Sequence, residues 1–501
     1  MKKIFLSLTV AVMTAGSVFS QTGIPDLKKA IDNIKPKIEN SDKDIQDAKK
    51  GAAAKTWENR GKLFLEAARI NSKNITQNMY AAKCDQSPFY NMETTMGAPE
   101  SKKTEKIDDD EYEIWVYPTI EVYVQDNQVV LWKETYVVDN DALNKSAEAY
   151  KKADELDAKF KTKKSTIDAI KDLRTSYYTN GINAYLLQDY KNASKNFEGA
   201  YGLKNFPRDE KDTALTDGQF IYNAALSAFQ GKDKAKAEKL FNEAAKENYQ
   251  AGNCFHHIYL IYMENGKEAE ALKVITDAYE KYPQEEQILY DVINYYLGKK
   301  QTNEAEKYLD KAIEKYPANA SLYNVKASMF VNQCNDLQKV YISELNAVDS
   351  LRKLAFRNRS NAKEEARANA EKDKMQAKAD QTKTQFVANQ DKAIKIYNQA
   401  IEKDPKNYDA NFALGIVYYG MADLVNAEKN AIPLSEDKDG SKTAAKEAEM
   451  KKYFGLSAES FEKASAIRPT DKDCLQNLKM LYYKLGNTAK WNEVKAKLEK
   501  L

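Results

Sequence analysis

The sequence predicts an all-α protein, with helical hairpins stacked into a superhelical solenoid, a small α+β meander inserted near the N-terminus and a helical hairpin protruding from a later repeat. Three observations predict this. Small and large apolar residues recur at a step of 34 through the middle of the chain. Gly 18 and Pro 11 are scarce among 501 residues, while 30% are charged and 43% hydrophobic, the balance of helices with one wet face. Three intervals exceed the step, by 73, 54 and 30 residues. A chain of this length suits an elongated repeat, whose size no single core limits.

At the N-terminus, Lys2 and Lys3 precede an apolar run from Ile4 to Val12, and Val18-Phe19-Ser20 supplies a small-residue cleavage pattern before Gln21. Residues 1-20 therefore read as a signal peptide, and no Cys follows the expected cut to accept a lipid. Losing Lys2 and Lys3 lowers Lys+Arg from 77 to 75 against 75 Asp+Glu, a formally neutral chain. Neutrality argues against nucleic-acid binding, which rests on a basic face. The expected location is outside the cytoplasm: periplasmic, outer-membrane-associated or extracellular, with membrane association only through partners. Cys84, Cys254, Cys334 and Cys474 match no metal-knuckle spacing. Three full disulfide pairings and isolated buried thiols all stay open.

The repeat register runs through the centre of the chain. Ala237, Ala271 and Ala305 are 34 apart, as are Phe241, Ile275 and Leu309, and then Ala244, Ala278 and Ala312. Pro283 and Pro317 keep the step, and on the preceding helix so do Ala225, Tyr259, Ile293 and Ala327. Two amphipathic helices per unit explain the pattern: alanines allow close approach, large residues fill the gap, and proline stops the second helix.

These residues resemble the tetratricopeptide-repeat (TPR) family, in a secreted bacterial form, whose 34-residue unit follows an aromatic, Gly, aromatic, Ala, aromatic, Ala, Pro order. Gly181, Tyr190, Ala193, Phe197 and Ala200 fit the same unit, as do Trp57, Gly61 and Phe64. The resemblance implies a protein-binding solenoid with a concave groove lined by first helices.

Following the register outward locates the insertions. Gly61 pairs with Ser146, Tyr150 and Ala153 after 73 extra residues; Ala327 and Ala393 bracket 54 extra; and Gly415 meets its partner Ser457 after 30 extra. The first insertion predicts a helix from Ser87-Pro88 to Gly97, an acidic linker at Asp108 to Glu111, and strands at 112–117, 119–124 and 129–138 with a turn at Asp126-Asn127. Over residues 90-134 it resembles the small outer-membrane-assembly lipoprotein module. The second, charged from Ala362 to Lys383, predicts a helical hairpin with its apex at Asn358 to Asn361. The chain thus divides into a signal peptide (1-20), N-terminal helices with half a split repeat (21-70), an α+β insertion (71-140), repeats (141-330), a hairpin insertion (331-389), and C-terminal repeats with capping helices (390-501), broken by a short insertion (423-450).

Catalytic and metal chemistry is not legible. GxSxG, HExxH, Walker A and CxxC patterns are missing, and adjacent His256 and His257 diverge by about 100° on a helix, too far to share one ion. Glu436 to Gly440 reads as a solvated turn, not a calcium loop. No cofactor, metal or catalytic residue is expected. The family resemblance assigns groove positions to Tyr222, Leu226, His256, Tyr290, Asn294, Asn324, Ser328 and Phe412. They lack the lysines of a carboxylate clamp, so peptides or folded partners held through Tyr and Asn are expected. The expected function is a non-enzymatic interaction scaffold of the bacterial cell envelope, with envelope or secreted proteins or peptides as partners. The alternative is a glycan or small-molecule binder that uses the Tyr-rich groove, or the meander insert with an exposed Trp115 or Trp132 stacked on a sugar.

Overall fold

A computed structural model describes residues 27–208 and 215–501. The signal peptide expected at 1-20 lies outside the described residues. The chain divides into two compact units, residues 1–288 and 289–501, and the described residues are mostly helical. Unit one opens with α1 (Leu27–Gln46) and α2 (Ala54–Arg69), followed by α3 (Met92–Met96) and a four-stranded sheet, β1 (Ser101–Ile107), β2 (Asp110–Tyr117), β3 (Ile120–Gln125) and β4 (Gln128–Glu134). It continues through α4 (Ala142–Leu156), α5 (Lys164–Leu186), α6 (Tyr190–Tyr201), α7 (Asp217–Gln230), α8 (Lys234–Lys246), α9 (Ala251–Glu264) and α10 (Glu268–Lys281). Helix α11 (Glu286–Gly298) spans the boundary. Unit two then carries α12 (Thr302–Lys315), α13 (Ala320–Arg357), α14 (Ala362–Lys403), α15 (Tyr408–Ala431), α16 (Ser441–Ile467), α17 (Lys472–Lys484) and α18 (Thr488–Glu499).

Each uninterrupted helix pair is closed by one recurring turn. Gln188, Lys232, Gly266, Lys300 and Gly486 all adopt positive φ, between 56° and 71°, at the end of a first helix. The next residue's N–H reaches back five positions, as in Asp233 to the Ala228 carbonyl at 2.9 Å, which satisfies an orphan carbonyl. Asp189, Asp233 and Asn487 then cap the second helix through their side chains. Second helices stop at Tyr282, Tyr316, Asp404 and Arg468, where the following proline forces extended backbone.

Three glycines show that insertion leaves the repeat core unchanged. A methyl group on Gly181 would fall 2.7 Å from the Phe197 ring, 16 residues on. Gly61 makes the same approach to Tyr150 at 2.9 Å, and Gly415 to Phe461 at 2.6 Å. Those pairs are 89 and 46 residues apart, and subtracting the 73- and 30-residue insertions returns 16 in both. In these two split repeats a serine also donates to the glycine carbonyl, Ser146 to Gly61 at 2.8 Å and Ser457 to Gly415 at 2.7 Å. Residues far apart in sequence thus rebuild the contact that Gly181 and Phe197 make locally.

The inserted sheet is an antiparallel meander in the order β1-β2-β3-β4. Asp126 and Asn127, both at positive φ, make the tight β3–β4 turn, and Asn127 clamps Ala82 through both amide atoms. A bulge beside Tyr123 and Val124 leaves Val130 unpaired. Both faces are covered. Trp115, Ile120, Val122 and Trp132 pack with Ile75, Met79 and Met92, while Tyr112, Ile114, Tyr123 and Leu131 pack with Leu186 at the end of α5 and its cap Leu187.

Three details of the insertion differ from expectation. The helix begins at Met92, capped reciprocally by Asn91 and Thr94, and not at Ser87-Pro88. Strand β1, Ser-Lys-Lys-Thr-Glu-Lys-Ile, carries no apolar alternation because it is an exposed edge paired only with β2. The acidic stretch Asp108 to Glu111 is therefore the β1–β2 turn and the start of β2, with Asp108 at φ 53°.

In unit two, α13 and α14 form the long hairpin, and its turn falls at Asn358 to Asn361, where Asn361 caps α14. The hairpin base is not free. Cys334, Tyr341, Leu345, Ala379 and Phe386 share a core with Leu424 of α15, and Arg352 donates to the Ala431 carbonyl at 3.4 Å. The 30-residue insertion appears as the extended end of α15 and start of α16, so the two insertions brace each other. Glu428 sits at the centre, accepting from Lys383 of α14 at 2.6 Å, Lys446 of α16 at 2.7 Å and the Tyr341 hydroxyl at 3.2 Å. Burial pushes its carboxyl up, and the two lysines overcome that to hold it below its ordinary value.

Candidate functional site

The eight groove positions lie on first helices, but the structure gives most of them internal work. In unit one, Leu226 is 2% exposed within the repeat core and is not available to a partner, which corrects its expected place in the lining. Tyr222 is half-buried, its ring 5.9 Å from Phe241 and 5.6 Å from Tyr249. His256 is half-buried, with Nδ1 3.3 Å from Gln287 Nε2. Its neighbour His257 is buried and stacked on Phe241 at 4.7 Å, its Nδ1 donating to the Asn253 carbonyl.

In unit two the polar candidates prop helix starts. Asn324 donates to Asn407 at 3.1 Å, and Asn407 caps α15 by accepting from Ala410 N–H. Tyr290 accepts from Asn319, the cap of α13, at 3.4 Å. Ser328 donates to its own helix at the Val325 carbonyl. Phe412 lies against Tyr408 and Phe461, 5.6 and 5.1 Å between ring centres. Asn294 is exposed. Tyr222, His256, Tyr290, Asn294 and Asn324 therefore keep surface that a partner can meet, while Leu226 does not.

A concavity in unit one lies elsewhere. A cleft of about 990 Å³ opens between the inserted sheet and helices α4, α5 and α6. Its walls carry Glu134 from β4, Asp139 and Asp141 before α4, and Asn180, Asn183, Asn192 and Asn196 from α5 and α6. Gln188 closes one end by donating to Asp108 at 2.8 Å, which ties the repeat to the sheet. Asp139 pairs with Lys145 at 2.6 Å and Asp141 with Lys195 at 3.1 Å. Glu134 has no such cation. It accepts from Asn71 and Ser72, each at 3.3 Å, and burial pushes its carboxyl up to about 7. Sequence reasoning missed this cleft because its walls come from three separate segments. Four asparagines over 180–196, a residue type that helices disfavour, were the available signal.

The remaining candidates resolve into packing. Trp115 is 2% and Trp132 6% exposed, so neither offers a face for a sugar. The Cys254, Cys334 and Cys474 thiols are buried and unbridged, each donating to a backbone carbonyl, and burial pushes each up to about 12. Asp437 and Asp439 cap the start of α16. Among the described residues no cluster of three or more His, Cys, Asp or Glu could hold a metal, and no helix is long and apolar enough to cross a membrane.

A tetratricopeptide-repeat model matches residues 262–329, and a TPR repeat model matches residues 389–421. No curated protein sequence matches the chain. Among solved structures, a TPR repeats protein from Bacteroides fragilis is 15% identical, over 62% of this chain and 98% of that one, with a TM-score of 0.27. Yeast Tom70 is 15% identical over 72% and 56%, at 0.29, and a human IFIT1 dimer 14% identical over 72% and 80%, at 0.26. The two matched segments fall in the register that places Ala271, Ala305 and Ala393 on buried helix faces, and there the chain carries tetratricopeptide repeats.

Proposed function

We propose that this chain is a non-enzymatic interaction scaffold of the bacterial cell envelope, exported by its N-terminal segment and holding envelope or secreted proteins or peptides on its repeats. TPR repeats make it a protein-interaction scaffold in general terms. The observation that carries the finer reading is the pairing of a signal-like start, Lys2 to Ser20, with repeats whose first helices keep polar and aromatic surface at Tyr222, His256, Tyr290, Asn294 and Asn324. Two readouts test it. N-terminal sequencing of protein from the envelope fraction should begin at Gln21, and recovery of full-length chain from the cytoplasm refutes export. A photo-crosslinker at Asn294 should capture a discrete partner in intact cells, and one at buried Leu226 should not. Equal capture at both positions refutes binding on the first helices.

A further inference from the structure

We infer that the cleft between the inserted sheet and α4 to α6 is a second binding site, separate from the groove, which takes an extended peptide segment through a lysine or arginine side chain. It stands independently of the groove reading.

Charge is the first ground. Six carboxylates and three lysines line the cleft, an acidic excess in a chain that is otherwise nearly neutral. Asp139 and Asp141 are paired internally, whereas the carboxyl of Glu134 meets only Asn71 and Ser72. A half-buried carboxylate without a cation is poorly stabilised, and a guanidinium or ammonium arriving with a ligand supplies what is missing.

Orphaned hydrogen-bonding groups are the second. Trp132 and Asn183 line the cleft and are 6% and 5% exposed, and the indole N–H of one and the amide oxygen of the other have no partner. Native proteins seldom leave buried polar atoms unmade, because each costs about 1–3 kcal/mol. One donor and one acceptor are the complement of a peptide unit. The amides of Asn192 and Asn196 donate to Asp189 and to the Asn192 carbonyl, leaving their oxygens as acceptors. Residues four apart on a helix stand about 5–6 Å from each other, near the roughly 6.6 Å between alternate residues of an extended chain.

The walls disfavour a saccharide. Sugar recognition uses an open aromatic face, and the cleft aromatics Tyr123, Trp132 and Tyr177 are buried at 2%, 6% and 2% exposure. The cleft exists only because the insertion leaves its repeat and folds back on α5, so a repeat protein without the insertion lacks it.

The test uses the full chain and immobilised pools of degenerate pentapeptides whose central residue is Lys, Arg, Glu or Leu, with cellobiose as a competitor. Lys- and Arg-centred pools should bind at least tenfold more strongly than Glu- and Leu-centred ones. Glu134→Gln should abolish that preference, Trp132→Phe should weaken binding of the Lys pool at least threefold, and Tyr483→Ala, at an exposed residue of α17 outside both sites, should leave it unchanged. Thermal melts of each variant confirm folding, and Asn183→Leu serves as a further probe if Trp132→Phe melts early. Equal binding of the four pools, no binding to any, preference retained in Glu134→Gln, or displacement by cellobiose overturns the proposal.

Discussion

Helix α15 contains two glycines that should respond oppositely to the same substitution. At Gly420 an added methyl meets nothing within 4 Å. Gly420→Ala should therefore gain only the helix propensity difference, about 1 kcal/mol. At Gly415 the methyl would fall 2.6, 2.7 and 2.8 Å from three carbons of Phe461, where ordinary contact is 3.4–4 Å. Phe461 is fully buried and packs edge-on against Phe412, so its ring cannot swing into solvent. Overpacking a close-packed core costs about 1–3 kcal/mol, and opening the helix pair also stretches the 2.7 Å bond from Ser457 to the Gly415 carbonyl. Taking about 3 kcal/mol for the clash and its strained neighbours, and subtracting the propensity gain, Gly415→Ala should lose about 2 kcal/mol. The two variants should then differ by about 3 kcal/mol. Because the two units need not unfold together, hydrogen exchange of the α15 and α16 peptides is the right readout alongside urea melts. Adding Phe461→Leu to Gly415→Ala should recover part of the loss. If Gly415→Ala is as stable as wild type, the glycine is not there for the ring and the shared 16-residue contact is coincidental.

Three further expectations follow from particular groups. Glu428→Ala should destabilise unit two by about 2 kcal/mol, since Lys383 and Lys446 lose their buried acceptor but are exposed enough to rehydrate. The folded carboxyl of Glu428 is held below its ordinary value, so this contribution is present above about pH 4.5 and is lost as pH falls through the folded pKa, which melts at pH 7 and pH 3.5 would show. Glu134 has the opposite sign. Its carboxyl is raised to about 7, so wild type should lose stability as pH rises from about 4.5 through 7, and Glu134→Gln should be about 1–2 kcal/mol more stable at pH 8, after allowance for partial solvent access. Limited proteolysis should cut first at Asn358 to Asn361 and spare the charged but helical run from Ala362 to Lys383, where immediate cleavage would contradict the braced hairpin.

The helical hairpins were legible because each repeat writes its packing locally. Ala271, Ile275 and Ala278 lie one and two turns apart on a single helix, and all three are buried. The hairpin apex was legible for a similar reason, since two arms of equal length place the turn at their midpoint. Strand β1 was not, because an exposed edge strand buries nothing and so leaves no alternation in Ser101 to Ile107. The groove positions were legible only as positions. Family spacing points to Leu226 and Asn324 equally, but whether a side chain meets solvent, the core or the cap of the next helix depends on neighbours up to 83 residues away, as between Asn324 and Asn407.

By itself the sequence determined the repeat, its 34-residue step and the lengths of the three interruptions, because amphipathic periodicity and small-residue contacts act within one or two helices. Only the tertiary structure decided what the interruptions do. Their contacts join segments brought together by packing, and no local period records such joins. The 54- and 30-residue insertions meet at Glu428, whose charge is stabilised by lysines from two other helices. The 73-residue insertion folds back on α5 and encloses a polar cleft, with the indole of Trp132 and the amide of Asn183 left unsatisfied in its walls.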